Sequence, residues 1–231
     1  MKLSIIIPCY NEEKTISNLI DRISKHYKDD KEVIIVNDAS TDNTKKIITD
    51  LEKKYKFIKK IINHEKNLGK GSSINSAISE ITGDITIIQD ADLEYDPKDY
   101  YDLIEPINLK LADVVYGSRF QGGKAKKVLF FWHKIGNDFL TFLSNMLTNL
   151  TLSDMETGYK VFKSDIIKKI TLEEKRFGIE PEITAKIAKL KINIYEVGIS
   201  YQGRTYAEGK KITWKDGFSA IRCILKYNLF R

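Results

Sequence analysis

The chain has 231 residues, 42% of them hydrophobic and 30% charged, with a formal net charge of +6. That is enough apolar material for a sizeable core and too much for a disordered chain, and the positive balance suits an anionic partner: nucleotide phosphates, nucleic acid or an acidic membrane surface. Cys9 and Cys223 lie at opposite ends, and His26, His64 and His133 have no ligand spacing, which argues against a disulfide framework and a histidine metal cage.

From the N-terminus, a single lysine precedes a short apolar run, Leu3 to Ile7, that meets Pro8 and then Glu12-Glu13, so no secretory leader is expected. This run, with Val33 to Val36, Ile85 to Ile88 and Val114 to Tyr116, has the continuous apolar character of strands buried on both faces. Phe57 to Ile62, with its lysines, reads as a further strand. Helical patterns fill the gaps at Glu12 to His26, Asn43 to Tyr55, Gly71 to Ile81 and Pro97 to Leu111. Punctuation agrees, with Ser40 or Thr41 at a helix start, Gly83 past an end and Pro97 in a first turn. The alternation predicts an α/β chain: a mostly parallel sheet with helices on both faces.

The second half departs from this pattern. Lys124 to Leu152 runs from basic residues through Phe130-Phe131-Trp132 to Phe139, Leu140, Phe142, Leu143 and Leu147 at helical spacing. Trp214 to Phe230, with Arg222 and Lys226, has a similar mixture. Such helices suit a membrane interface, and core packing or a dimer face explains them equally. No window spans a bilayer, because His133, Lys134, Asn137 and Asp138 interrupt the most hydrophobic stretch, Val128 to Leu152. The expectation is a cytoplasmic protein peripherally associated with the membrane, with a homo-oligomer left open.

The strand ends carry the chemistry. The run Ile85 to Ile88 stops at Gln89-Asp90-Ala91-Asp92-Leu93-Glu94, which sets two carboxylates one residue apart beyond the sheet edge, where hard cations and phosphate-bearing ligands meet in open α/β folds. Strand one leads into Pro8-Cys9-Tyr10-Asn11-Glu12, strand two into Asn37-Asp38-Ala39-Ser40-Thr41-Asp42, and the third helix follows Asn67-Leu68-Gly69-Lys70-Gly71. In a parallel sheet these loops share the carboxyl edge. Singly, each has a plainer explanation as a cap or turn; together they resist it.

The segments SIIIPCYNEE, VIIVNDASTDNT, NLGKGSSIN, IIQDADLEYDP, VVYGSRF, DMETGYKVFK and YQGRTYAEGKK resemble, in order and spacing, the family 2 glycosyltransferases, and among them the polyprenyl-phosphate sugar transferases of the dolichol-phosphate mannose synthase type. The resemblance implies a GT-A-type fold: a mostly parallel, Rossmann-like sheet flanked by helices, with C-terminal acceptor-side helices. One continuous domain would comprise a nucleotide-sugar-binding half, 1–120, and an acceptor-binding half with interfacial helices, 121–231. It places Pro8, Tyr10, Glu12 and Asp38 against the base and ribose of a GDP- or UDP-hexose, with Lys70 in the same donor-binding set. Asp90 and Asp92 would hold Mg²⁺ or Mn²⁺, chiefly through Asp92, while Glu94, often Gln in the family, adds a carboxylate for metal or sugar. Arg119, Arg204, Lys210 and Lys211 would supply cations to the donor diphosphate and acceptor phosphate.

The implied reaction is inverting transfer of a hexose to a membrane lipid acceptor, polyprenyl phosphate, whose anionic oxygen requires no base. A hydroxyl acceptor on a glycan or diacylglycerol would require one, and Asp154 or Glu156 is then the candidate. Glu156-Thr157-Gly158 departs from the Asp-x-x-Ser-Gly of phosphate-accepting members and keeps that alternative open. A nucleotidyltransferase is opposed by the missing phosphate loop near strand one, and a non-catalytic nucleotide-binding membrane adaptor by the intact acidic pair. No nucleic-acid partner is expected.

Overall fold

Alternating burial along the first strand organises the molecule. In β1 (Leu3–Cys9), Leu3, Ile5 and Ile7 enter one apolar core and Ile6 enters another, so the strand is covered on both faces. The computed structural model describes residues 1–122, 127–128, 130–204 and 214–230. Lys210 and Lys211 lie outside them, as do several residues of the basic stretch after Gly122.

The first core is closed by α1 (Ile16–His26) and α2 (Thr44–Lys54). Ile16, Leu19, Ile20 and Ile23 make one buried stripe on α1, and Ile48 and Leu51 do the same on α2. Strands β2 (Lys31–Asn37) and β3 (Ile58–Asn63) extend the sheet in parallel from β1, and the exposed lysines of β3 guard its edge. α3 (Lys70–Ile78) crosses the opposite face and leads to β4 (Ile85–Ile88), which pairs in parallel with the other side of β1. Strand order therefore reverses between β1 and β4, which opens a crevice at their carboxyl ends.

A 3₁₀ turn, Pro97–Asp99, starts α4 (Tyr100–Asn108), which packs on the first core. β5 (Val114–Ser118), α5 (Phe131–Thr148), β6 (Lys160–Lys163), α6 (Ser164–Ile167), α7 (Ile179–Lys189), β7 (Ile194–Gly198) and α8 (Trp214–Leu225) follow, and α8 runs into a π-helical turn, Lys226–Phe230. Among the described residues seven strands form one sheet in the order β3-β2-β1-β4-β6-β5-β7. β6 is antiparallel to both its neighbours, and all other pairs are parallel.

The helix-rich second half thus contributes strands that the periodicity does not announce. β6 has only Val161 and Phe162 between lysines, and its Lys160 is buried: the ammonium donates to the carbonyls of Met155 and Thr157 and lies 5.0 Å from the Tyr116 ring centroid. The sheet-edge strand β7 is half-covered and was equally silent. Because β6 sits between β4 and β5, the expected halves 1–120 and 121–231 share one sheet.

Candidate active site

The crevice between β1 and β4 gathers the loops that the sequence analysis singled out. Asn11, Ala39 and Leu93, one in each loop after β1, β2 and β4, adopt left-handed backbone with φ of 54°, 57° and 64°. Non-glycine residues hold that conformation only where their surroundings enforce it, and such strain collects at functional sites. Here the enforcement is visible. The Asn11 N–H donates to Ser40 Oγ (3.0 Å) and its side-chain oxygen accepts from the Thr41 N–H (2.8 Å), so the first two loops are laced together.

Asp38 shapes the third loop. Its carboxylate accepts from the N–H groups of Leu68 (2.8 Å) and Gly69 (2.7 Å), and His64 Nδ1 lies 2.7 Å away. Gly69 sits at φ +93°, and a Cβ on it or on Gly71 would strike the backbone carbonyls of Lys175 and Glu174. The glycines are therefore a seat for the 174–175 backbone, and the Gly71 N–H is taken by the Lys175 carbonyl at 2.9 Å. Asp38, expected against the nucleoside, has both oxygens engaged within the protein. The residue thereby orders the third loop.

Five carboxylates and two cations converge beyond β4. Lys70 Nζ lies 2.9 Å from Asp90 and 2.9 Å from Glu180. Arg204 Nη2 lies 2.8 Å from Asp92 and 3.6 Å from Glu12. Glu94 fixes the segment that carries Arg204, because its carboxylate accepts from the Arg204 N–H (2.7 Å) and the Tyr201 hydroxyl (2.8 Å), and its carbonyl from the Gln202 N–H (2.9 Å). Among the described residues the buried Arg204 Nε has no hydrogen-bond partner and lies 3.8 Å from Glu94. Burial, then the charges of Asp90 and Glu94, push the Asp92 carboxyl up to about 7 against the pull of Arg204. Pro8 and Tyr10 line the end of β1 and are partly exposed.

Arg119 and Asp154 form a second unit. The arginine Nε and Nη2 each bond a different Asp154 oxygen at 2.6 Å, its N–H adds a third contact at 3.0 Å, and Nη2 also reaches Asn137 of α5 (2.8 Å). Both side chains are buried, and the Tyr201 ring lies 5.3 Å from the guanidinium. The expected phosphate clamp and the expected candidate base are thus each other's partner, the arginine holding the carboxylate through Nε and Nη2. Glu156 is separate. Burial, then the charge of Glu180, push its carboxyl up to about 8 against Lys160 and Arg119.

Residues 4–171 match the profile described as glycosyl transferase family 2. The chain belongs to that family. Among curated proteins, this family 2 chain is 32% identical over 226 residues to the UDP-N-acetylglucosamine–dolichyl-phosphate N-acetylglucosaminyltransferase of Methanococcus voltae, covering 90% of this chain and 89% of that protein. It is 29% identical over 217 residues to the dolichol-phosphate mannosyltransferase of Pyrococcus furiosus, covering 92% of this chain but 61% of that protein. Among solved structures, the glucosyl-3-phosphoglycerate synthase of Mycobacterium tuberculosis, in complex with Mn²⁺, UDP and phosphoglyceric acid, aligns over all of this chain and 79% of its own, with a TM-score of 0.72 and 18% identity. That likeness shows the GT-A fold expected of a family 2 glycosyltransferase.

Three further residues around the crevice carry no distinguishing mark in the sequence. Gln89 is fully buried, accepts from the hydroxyls of Tyr100 (2.7 Å) and Tyr159 (2.6 Å), and donates to the Asp90 carbonyl (2.8 Å), which fixes the first acid's backbone. Glu180, in the first turn of α7, reads in sequence as an ordinary helix-start acid, yet it holds Lys70. Lys160 reads as a surface lysine. The available signal was the stretch Lys160 to Lys163 itself, where flanking charge hid a strand.

Proposed function

We propose that this protein transfers a hexose, with inversion, from a nucleoside diphosphate sugar to polyprenyl phosphate at a membrane surface. The observation that carries the reading is the placement of Lys70 and Arg204 beside Asp90, Asp92 and Glu94 at the β1–β4 switch point, where an open α/β sheet takes phosphate-bearing ligands. The dolichyl-phosphate and dolichol-phosphate transferases among its relatives, and the UDP in the fold's solved counterpart, support the same donor and acceptor classes.

Asp90 and Asp92 fit a divalent cation. They are hard oxygen donors, and the crowding that raises Asp92 is relieved by positive charge. Among the described residues no three ligating side chains close a cage, which suits Mg²⁺ or Mn²⁺ held by one or two carboxylates together with donor phosphates. When bound, such an ion supplies charge neutralisation for the departing nucleoside diphosphate. Arg204 adds a guanidinium to the phosphate side of the crevice, and Glu94 keeps it in place by accepting from its backbone N–H and lying 3.8 Å from its Nε.

An oxygen of the acceptor phosphate forms the new bond to the anomeric carbon as the bond to the diphosphate breaks, and the electron pair leaves with the nucleoside diphosphate. No proton has to be removed. The site matches that economy, for Asp154 is held by Arg119, and burial with the charge of Glu180 pushes the Glu156 carboxyl up to about 8.

The membrane part of the reading rests on α5. Phe131, Ile135, Phe139, Phe142 and Met146 are all exposed and make one stripe along the helix, while Asn137, Thr141 and Ser144 are buried on its other side, beside Arg119. Phe130 and Trp132, the latter 79% exposed, extend the stripe at its N-terminal end, so the ring cluster is not core. No helix among the described residues is long and apolar enough to cross a membrane. A helix with this face lies in the interfacial plane and brings a lipid headgroup to the crevice.

The test supplies purified protein, Mg²⁺ and labelled UDP- or GDP-hexose with either polyprenyl phosphate or the polyprenol of the same length. Label should enter the phosphate-bearing lipid alone. Equal labelling of the polyprenol would favour a hydroxyl acceptor and overturn the reading.

A further inference from the structure

The peptide that carries Asp90 is held from behind. β4 ends at Ile88, and the N–H of the next residue, Gln89, still donates to the Ile6 carbonyl of β1 at 2.9 Å. Along this strand Ile85 and Ile87 enter the first apolar core, and the period of two puts Gln89 next on the same face, where an apolar residue would pack without desolvating an amide. The amide is 0% exposed and turns back on its own chain: Nε2 donates to the Asp90 carbonyl (2.8 Å), and Oε1 accepts from the hydroxyls of Tyr100 (2.7 Å) and Tyr159 (2.6 Å). A carbonyl oxygen only accepts, so the amide has one orientation there. Tyr100 opens α4 and Tyr159 immediately precedes β6, so two elements outside the loop fix it. Burial holds both phenols well above their ordinary value, which keeps both hydroxyls as donors.

The Asp90 carboxylate is confined on its other sides. Lys70 Nζ lies 2.9 Å from it, and Gly158 leaves open the space where a Cβ would strike its Oδ2. A Cα–Cβ bond follows its own backbone, so a tilt of the Asp90 peptide would swing this carboxylate within a space that does not give, and a divalent cation tolerates little error in the placing of its oxygen ligands. We propose that Gln89 is a positioning residue: acting through the Asp90 carbonyl, and backed by Tyr100 and Tyr159, it sets the aim of the Asp90 carboxylate and with it the affinity of the site for its divalent cation. The proposal rests on the reading of Asp90 as a metal ligand given above. It explains why an amide, rather than a third isoleucine, ends the buried face of β4.

The experiment measures Mn²⁺ binding by electron paramagnetic resonance, with UDP or GDP present, and thermal unfolding without metal. It compares the wild type, Gln89→Asn and the triple variant Gln89→Met, Tyr100→Phe, Tyr159→Phe. The triple variant removes the amide and both hydroxyls together at similar shape, so neither phenol is left stranded and the melting temperature should stay close to that of the wild type. Mn²⁺ should nevertheless bind about tenfold more weakly, equivalent to about 1.4 kcal/mol. Gln89→Asn, one methylene short of the carbonyl, should weaken Mn²⁺ similarly and bind the nucleoside diphosphate in chelator as the wild type does. If the wild type binds Mn²⁺ and either folded variant binds it equally well, the amide serves packing alone and the positioning role is refuted. Loss of the cooperative unfolding transition in both variants would refute it too, by showing that the amide holds the fold. If the wild type binds no Mn²⁺ with either nucleotide, the metal reading itself falls, and the role of Gln89 with it.

Discussion

Arg119 separates two accounts of the second basic site, and its environment allows the effect of removing it to be worked out. Arg119→Ala would leave Asp154, which is 0% exposed, without the two bonds it accepts from the arginine side chain and with only the one from the backbone N–H. Asn137 would also lose its donor, and Tyr201 the cation against its ring. Removing one member of a buried ion pair costs about 3–5 kcal/mol, chiefly because the survivor is stranded. For a chain of this size, one kcal/mol moves the melting temperature by roughly 2–4 °C, so the expected fall is roughly 6–20 °C. Asp154→Ala should cost a similar amount. Because each single variant strands the other charge, the double variant should lose less than the sum of the two, with a coupling of about 3 kcal/mol. Urea unfolding of the four proteins, followed by circular dichroism, measures this directly. Wild-type stability in Arg119→Ala, accompanied by loss of transfer, would show that the arginine is free to meet phosphate, and the pairing would be refuted as its main role.

Arg204→Ala should lower turnover by about 10²–10³-fold, the scale of a lost charge-stabilising donor, whereas Lys45→Ala and Lys53→Ala, both on exposed positions of α2, should be silent; equal effects at the three positions would mean that net charge alone draws the ligands. Replacing Phe130, Phe131 and Trp132 by serine should release the protein from anionic liposomes in flotation without shifting its unfolding, since the rings are exposed; a lost cooperative transition would place them in the core after all. Acid stability should depend on Glu32. Burial pushes its carboxyl up, but hydrogen bonds from Lys2, Ser4 and Thr82 outweigh this and hold it at about 2 against an ordinary 4.5. A depressed carboxyl stabilises the fold above its unfolded value and loses that contribution as pH falls, so about 3 kcal/mol should disappear between pH 4.5 and 2. Glu32→Gln should flatten the stability profile over that window, and an unchanged profile would refute the assignment.

The parts of the molecule legible in the sequence are those where one local pattern has one physical cause. Leu3 to Ile7 and Val33 to Val36 are apolar throughout because both faces of the central strands are covered, and Asp90, Asp92 and Glu94 stand out because a charged run follows β4 at once. β6 was hidden because Lys160 pays for its burial through two backbone carbonyls, an arrangement that leaves no trace in periodicity. The Arg119–Asp154 pair spans 35 residues, and nothing local distinguishes a guanidinium meant for a carboxylate from one meant for phosphate. Asp38 illustrates the same limit from the other side: its place after β2 is readable, but its engagement by Leu68, Gly69 and His64 depends on a loop 30 residues away. For α5 the spacing announced an amphipathic helix and left its partner open; the structure divides it, with Leu140, Leu143 and Leu147 packed on the second core and Phe139 and Phe142 exposed.

The central claim is that Asp92 and its neighbours support metal-dependent transfer of a hexose to a lipid phosphate. Mass spectrometry of the lipid and nucleotide products, with wild type and Asp92→Asn in parallel and with Mg²⁺ or chelator, tests it most directly. The wild type with Mg²⁺ should yield a singly glycosylated polyprenyl phosphate and one nucleoside diphosphate per product, while chelator or Asp92→Asn should reduce both by orders of magnitude with the fold intact. Undiminished product in chelator, or full activity of Asp92→Asn, would contradict the claim.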